Sequence, residues 1–506
     1  MDFAGDAVNG KWMKAIPLAA VMLAGTGCIV GPKYVTPTAP APPAFKEELP
    51  PNFKEASGWK LGEPKDDLHR GKWWEIFADQ QLNQLEEQID VSNQTLAAAE
   101  AQFRGARAAI RVSRSQLYPT LSGNVSVLGS GTSGSLGHGL ATQSAVATVP
   151  SVGASWEPDL WGQIRRTIEA NVDTAQASAA DLENARLSIQ SELALDYFLL
   201  HGLDSQRKLL LDTAEAYDRA LQLTVNRYNQ GVASQVDVAQ AQTQLAQTRA
   251  EATDTMVARQ QYEHAIAILL GKPPSEFSIP EAIITSDPPV VPGVLPSELL
   301  ERRPDIAGNE RRVAAANAQI GVAISAFYPT LTLGASGGLE GSSLVNLFTW
   351  PSRFWSIGPT LAQTFFDAGR RRGLTEEARA SYDSAVANYR ESVLTAFQQV
   401  EDQLSTLRIL AQEAQEQAGA VTYAERSLQL ANAQYQGGIT TYLQVITAQA
   451  IALSNELTAV QLKTKRMTAS VSLVQALGGG WSSSQLPTQQ DVTPQKAPKV
   501  VTTGLQ

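Results

Sequence analysis

Two kinds of pattern alternate along this chain: very long stretches with nothing to stop a helix, and short stretches in which apolar and polar residues strictly alternate. From Asp159 to Lys272 no proline occurs in 114 residues, and between Gln163 and Gln230 the only glycine is Gly202. Glycine and proline are the usual helix breakers, so this predicts one helix from Trp161 to Asn229, roughly 100 Å long at about 1.5 Å per residue. It ends at Gly231, and Ser234 then caps a second helix reaching Leu270, about 55 Å long. Along that second helix Val236, Ala239, Thr243, Ala246, Ala250, Thr253 and Val257 keep a 3-4 spacing, the mark of a coiled-coil seam.

The whole arrangement occurs twice. Arg370 to Gln436 is another long stretch without proline, closed by Gly437-Gly438, and Thr441 to Leu477 predicts the second short helix. Its seam is Leu443, Ile446, Ala450, Leu453, Leu457, Val460, Thr464, Met467, Val471 and Val474. Landmarks return at a nearly constant offset: Tyr118-Pro119 as Tyr328-Pro329 (328 − 118 = 210), Asp159 as Asp367 (367 − 159 = 208), Gly231 as Gly438 (438 − 231 = 207). A period of this size marks a tandem duplication of one unit. Gln81 to Leu117 predicts one more helix of about 55 Å, so each repeat supplies one long stave and two half-length staves of a cylinder.

The alternating stretches follow the half-length staves. Leu121, Gly123, Val125 and Val127 alternate with Ser122, Asn124 and Ser126, and after a Gly/Ser loop the alternation resumes up to Trp156. In the second repeat Leu331 and Leu333 alternate with Thr330 and Thr332, then Trp355, Ile357 and Leu361 with Ser356, Gly358 and Thr360. The four predicted strands cover about 119–128, 145–156, 330–338 and 355–365, close to the length of a tilted membrane-spanning strand. Trp156, Trp350, Phe354 and Trp355 fall near strand ends, where an aromatic girdle would sit. Two soluble hairpins with one wet face each would give the same alternation. In lipid, four strands cannot close a barrel, so the membrane reading requires several chains to share one.

Composition narrows the class. The net charge of −10 and pI near 5.1 argue against nucleic acid as a partner. A single cysteine, Cys28, excludes an internal disulfide framework. It closes a short basic and apolar export signal that starts at Met13, whether translation begins there or at Met1. A lone Cys there resembles a lipoprotein cleavage site, at which Cys28 would carry the lipid; Gly25 stands where an aliphatic residue is usual, and an ordinary cleavage site remains the alternative. Residues 29–80 form a Pro-rich segment that wraps rather than packs.

Catalytic motifs fail on context. Gly129-Ser-Gly131-Thr-Ser-Gly134 has the spacing of a dinucleotide loop but no helix follows, and Gly334-Ala-Ser336-Gly-Gly338 lies inside a strand. The four histidines are scattered, and neither metal nor other cofactor is expected.

Six short motifs stand in one order: Cys28-Ile-Val-Gly-Pro-Lys-Tyr34, Trp73-Trp74, Tyr118-Pro119, Glu157-Pro-Asp159-Leu-Trp-Gly162, Arg302-Arg-Pro-Asp305 and Ala476-Leu-Gly-Gly-Gly-Trp481. In this the chain resembles the TolC-like outer membrane factors, in particular the OprM/NodT-type efflux lipoproteins. The resemblance implies a mixed fold, a membrane β-barrel continuous with a long α-helical barrel, closed only in a homotrimer. It implies an outer-membrane location in a Gram-negative bacterium, a periplasmic adaptor (membrane fusion protein) and an inner-membrane resistance-nodulation-division pump as partners, and no enzymatic activity. The units would be a signal peptide at 1–28, the Pro-rich segment at 29–80, repeat one at 81–296, repeat two at 297–481 and a disordered tail at 482–506. The tip turns would be Gly231 and Gly438. By resemblance the constriction falls on Leu443, with Thr447 where an acidic ring is usual, and Asp237 is the carboxylate that could replace it; a solvated helix-start carboxylate is the other reading of Asp237. A type I protein secretion component shares the fold, and a lipid-tethered periplasmic coiled-coil scaffold is the reading outside transport.

Overall fold

The computed structural model describes residues 29–40, 42, 45–46, 72–131, 144–289, 299–341 and 345–493. Helix α1 is Gln80–Ser92 and α2 Gln94–Ser115; strands β1 (Thr120–Gly131) and β2 (Ser144–Trp156) follow, then α3 (Gln163–Asn229) and α4 (Gln235–Leu269). The second repeat gives α5 (Pro304–Ser325), β3 (Thr330–Leu339), β4 (Arg353–Ala362), α6 (Arg370–Gln436) and α7 (Tyr442–Ala476). Both long helices have 67 residues, about 100 Å each. Helix α3 lies against α2 and α5 along one half of its length and against α4 and α7 along the other, so half-length staves pack beside a full-length one.

The expected single helix from Gln81 to Leu117 is two helices, and the break has a physical cause. Asn93 leaves the helical region (φ −70°, ψ 123°), its side chain accepts from Leu96 N, and its Nδ2 donates to Leu269 O at 2.8 Å. Ser92 Oγ reaches Leu270 O at 2.7 Å. Hydrogen bonds to the frayed carbonyls of α4 therefore replace those lost at the kink. Repeat two breaks at the same place, between Leu299–Arg302 and α5, with extended Arg303 in the role of Asn93 (303 − 93 = 210).

The largest apolar cluster sits where the two halves meet. Trp73, Leu82, Leu193, Leu200, Ile266, Met467 and Leu473 are almost wholly enclosed there. The lone glycine of α3 lies at this level: a Cβ on Gly202 would stand 2.5 Å from Thr464 Oγ1 and 2.6 Å from its Cγ2. Gly202 is what lets α7 approach α3. We expect Gly202→Ala to destabilise the protein by about 1–2 kcal/mol, overpacking outweighing the gain in helix propensity. Adding Thr464→Ala should recover most of the loss, which a double-mutant cycle of thermal melts would read.

Two further expectations need correction. The stretch from Ser482 is not disordered throughout: Gln489–Val492 is a helical turn capped by Thr488, Val492 is enclosed beside Ile110 and Val172, and Gln176 Nε2 holds Pro487 O at 2.9 Å. Residues 494–506 lie outside the described residues. The predicted α4 seam faces outward: Val236 and Val257 are exposed, as are Ala239, Thr243, Ala246, Ala250 and Thr253. The buried stripe is Ala241, Leu245, Thr248, Ala252 and Arg259, with the same 3-4 spacing in another phase. At the start of α7 the same shift occurs, Leu443 and Ala450 being exposed while Tyr442, Val445 and Ala452 are buried.

Candidate functional site

The sheet order β1-β2-β3-β4 is antiparallel throughout. Its register aligns the alternation of all four strands into rows. One row is Leu121, Ala154, Ala335 and Ile357, and the next on that face is Gly123, Val152, Gly337 and Trp355. Between them on the opposite face runs Ser122, Gly153, Ser336 and Ser356. One face is therefore apolar from edge to edge and the other small and polar. Leu121, Trp355 and Ile357 are 77%, 80% and 73% exposed, so nothing among the described residues covers the apolar face. Phe354, expected in a girdle with Trp355, belongs to the polar-face row Asn124, Ser151, Gly338, with its ring against Gly338. Aromatic side chains mark both ends: Phe348, Trp350 and Trp355 at one, Tyr118, Phe327, Phe365 and Phe366 at the other. Strands β1 and β4 are both left with one open edge. Among the described residues no helix is long and apolar enough to cross a membrane, and no His, Cys, Asp or Glu cluster could hold a metal.

Cys28 lies outside the described residues, but residues 29–40, which follow it, are held by a series of hydrogen bonds. Val30 N donates to Trp161 O at 3.1 Å, at the junction between β2 and α3. Trp161 in turn stacks on Tyr328 at 4.7 Å and donates through Nε1 to Pro329 O, joining the two repeats just below the sheet. Arg166, itself buried, donates to the carbonyls of Val30, Gly31 and Pro32. Further along, Asn317 Nδ2 reaches Pro32 O, Tyr34 donates to Glu310, and Arg390 Nε reaches Thr38 O. The segment is a strap across α3, α5 and α6.

Beneath the strap Asp173 is 4% exposed with Arg311 Nη1 at 3.6 Å. Burial, with Glu169 and Glu310 adding to it against the pull of Arg311, pushes its carboxyl up to about 7. The folded pKa lies above the unfolded one, so folding binds a proton between them and stability falls as pH rises from about 4 to about 7. Asp173→Asn removes that penalty. We expect it to raise the melting temperature at pH 8, by up to about 3–4 kcal/mol of stability, by a smaller amount at pH 5, and to change little only below about pH 4.

At the far end, Gly231 (φ +75°) and Gly438 (φ +74°) turn the two hairpins in the left-handed region, as the glycine stops predicted. Asp237 forms a capping box: Ser234 N and Oγ both donate to Oδ2 at 2.9 Å. Leu443 is 56% exposed, and Thr447, one turn on, spends its hydroxyl on Leu443 O at 2.9 Å. What joins the two tips is a set of residues the sequence reading passed over. Arg227 Nη1 donates to Tyr435 O at 2.9 Å, and its guanidinium lies 4.6 Å from the centre of the Tyr435 ring. Tyr435 packs on Tyr442 at 5.3 Å, and both are buried with Ala241 and Val445. Burial pushes the Tyr442 hydroxyl up to about 12. The repeat offset held the signal: the counterpart of Arg227 is Gln434 (434 − 227 = 207) and that of buried Tyr435 is Tyr228, which is 43% exposed. The latch is where the two repeats differ.

Comparison with known proteins agrees with this geometry. The family model of outer membrane efflux proteins matches residues 85–272 and 295–479. The chain is 30% identical over 481 residues to the outer membrane protein OprJ of Pseudomonas aeruginosa, covering 93% of this chain and 97% of that protein. It is 30% identical over 477 residues to the solvent efflux pump outer membrane protein SrpC of Pseudomonas putida, covering 93% and 99%. The solved structure of the outer-membrane channel OprN superposes with a TM-score of 0.80 at 29% identity, over 90% of this chain and 100% of that one.

Proposed function

The chain belongs to the outer membrane efflux protein family, and from that premise we propose that three copies close one gated duct, anchored by a lipid on Cys28 and shut at the helix tips. It is an outer-membrane channel of an efflux system of a Gram-negative bacterium. The observation that carries a barrel shared between copies is the sheet, apolar on one face, polar on the other and open at both edges, and likeness to the efflux channels favours three copies. Hydrocarbon cannot satisfy an open edge, so β4 of one copy has to meet β1 of the next, and three copies of four strands make a barrel of twelve. The outward small-residue stripe of α4 offers neighbouring staves a close approach of the same kind.

The duct is passive, carrying small molecules such as drugs from periplasm to exterior, with energy from an inner-membrane pump reached through a periplasmic adaptor at the Gly231 and Gly438 turns. Leu443 narrows the closed bore, while Thr447 and the capping carboxylate Asp237 set its polarity. The names of the relatives favour efflux over protein secretion, and a tethered scaffold has no use for the two-faced sheet. The strap supports the anchor: it fixes Val30 at the foot of the sheet, two residues from Cys28.

The test is the mass of the purified complex together with its conductance in planar bilayers, beside Leu443→Ala/Thr447→Ala. A trimer with small, rarely open currents that grow in the variant is expected. A folded trimer without conductance in either form would overturn the duct, and a large steady conductance in both would remove the gate from Leu443.

A further inference from the structure

At the foot of the sheet, where α5 ends and α6 begins, a groove of about 680 Å³ is lined by Ile324, Phe327, Tyr328, Arg372, Glu376 and Arg379. Its cations contrast with those at the equivalent junction of repeat one. There Arg165 is paired with Asp159, and Arg166 is taken up by Glu169 and the strap carbonyls. At the junction in repeat two, among the described residues, only Arg371 is paired, with Asp367, its guanidinium also resting over Phe327 at 5.4 Å. Among the described residues Arg370, Arg372 and Arg379 make no ion pair, not even with Glu376 between them.

The side of the wall follows from the strap. On α5 it meets Glu310, Asn317 and Gly321, a stripe that leads up to Ile324 in the groove. On α6 it meets Arg390, and Arg379 and Arg372 continue that stripe upward at spacings of eleven and eighteen residues, five full turns at most. On the reading proposed above, in which Cys28 carries a lipid, the strap that leads to it runs along the outer wall, so both stripes face outward and the groove opens on that wall at the aromatic foot of the sheet. Aromatic rings beside unpaired arginines at that depth fit the boundary between acyl chains and headgroups. The protein carries a net charge of −10, so general attraction of anions does not explain the patch.

We propose that this groove is a binding site for an anionic phospholipid of the periplasmic leaflet, its phosphate held by Arg372 and Arg379 and its acyl chains lying along Ile324, Phe327 and Tyr328. The site rests on the reading that the sheet spans the membrane. It would fasten one repeat of each protomer to the leaflet where Cys28 fastens the other. Glu376 opposes the phosphate and limits affinity.

The test is native mass spectrometry of the intact detergent-purified complex, titrated with phosphatidylglycerol or phosphatidylcholine, with millimolar inorganic phosphate as competitor. Wild type should hold phosphatidylglycerol preferentially. Arg372→Gln/Arg379→Gln should lose about 30-fold in that affinity, at roughly tenfold or less per arginine, and Glu376→Gln should gain. Equal retention by wild type and the double variant would overturn the site, as would displacement of the lipid by inorganic phosphate. Conductance of the same preparations separates the two claims: a complex that conducts without lipid preference refutes only the site, one that never inserts refutes the duct.

Discussion

Arg227→Ala is expected to turn rare, brief currents into frequent and larger ones and to admit bulky antibiotics that the closed duct excludes. Arg227 ties the two hairpins together at the tips, through a charge-assisted hydrogen bond to Tyr435 O and a guanidinium over the Tyr435 ring. Such a bond contributes about 1.5–3 kcal/mol, and the ring contact about 0.5–1 at an exposed site. Loss of about 2 kcal/mol is about 30-fold in the opening equilibrium of one protomer, and three latches opening together multiply that effect. The apolar contacts of Tyr435, Tyr442, Ala241 and Val445 remain, so the variant should still assemble as a trimer. Arg227→Lys keeps a charge but not the planar fork, and should fall between the two. Single-channel recording reads the open probability directly. Unchanged currents in a correctly assembled Arg227→Ala trimer would show that the latch does not hold the gate.

How far these features could be read in advance depended on the kind of signal. The long helices were legible because proline is absent and glycine rare over 67 residues, and the tips because Gly231 and Gly438 are the residues a left-handed turn requires. The sheet was legible because its two faces differ in polarity, which excludes any pairing slipped by an odd number of residues. Helix phase was not. In α4 the stripe from Val236 and the stripe from Ala241 have the same spacing, and alanine and threonine occupy both, so nothing local says which is buried. The break at Asn93 was hidden for a related reason: neither Gly nor Pro marks it, and its cause is a pair of hydrogen bonds to Leu269 and Leu270, far away in sequence. The latch was not legible because it lies in a departure from the repeat, and only what recurs stands out at the repeat offset.

The assignment of the two sheet faces makes the sharpest contrast available between adjacent residues. Ile357 and Ser356 are neighbours near the middle of β4, both in full cross-strand rows, and they point to opposite faces. Ile357 is 73% exposed within the chain, so replacing it breaks no packing inside one protomer. If its face meets hydrocarbon, Ile357→Arg places a charge near the bilayer midplane at a cost of about 2–4 kcal/mol per protomer, or about 6–12 across a trimer. Assembly into the outer membrane should then fail or fall steeply, read as the trimer recovered from the outer-membrane fraction. Ser356→Arg puts the same side chain into the polar row of Ser122, Gly153 and Ser336, where water solvates it. That trimer should assemble normally, with a lower conductance and a shift toward anion selectivity. The reverse pattern would mean that the apolar face lines the bore, and equal tolerance of both would mean that neither face meets lipid. A soluble hairpin predicts the equal outcome, which is why this pair of variants bears on the membrane reading more directly than any measurement on the helices.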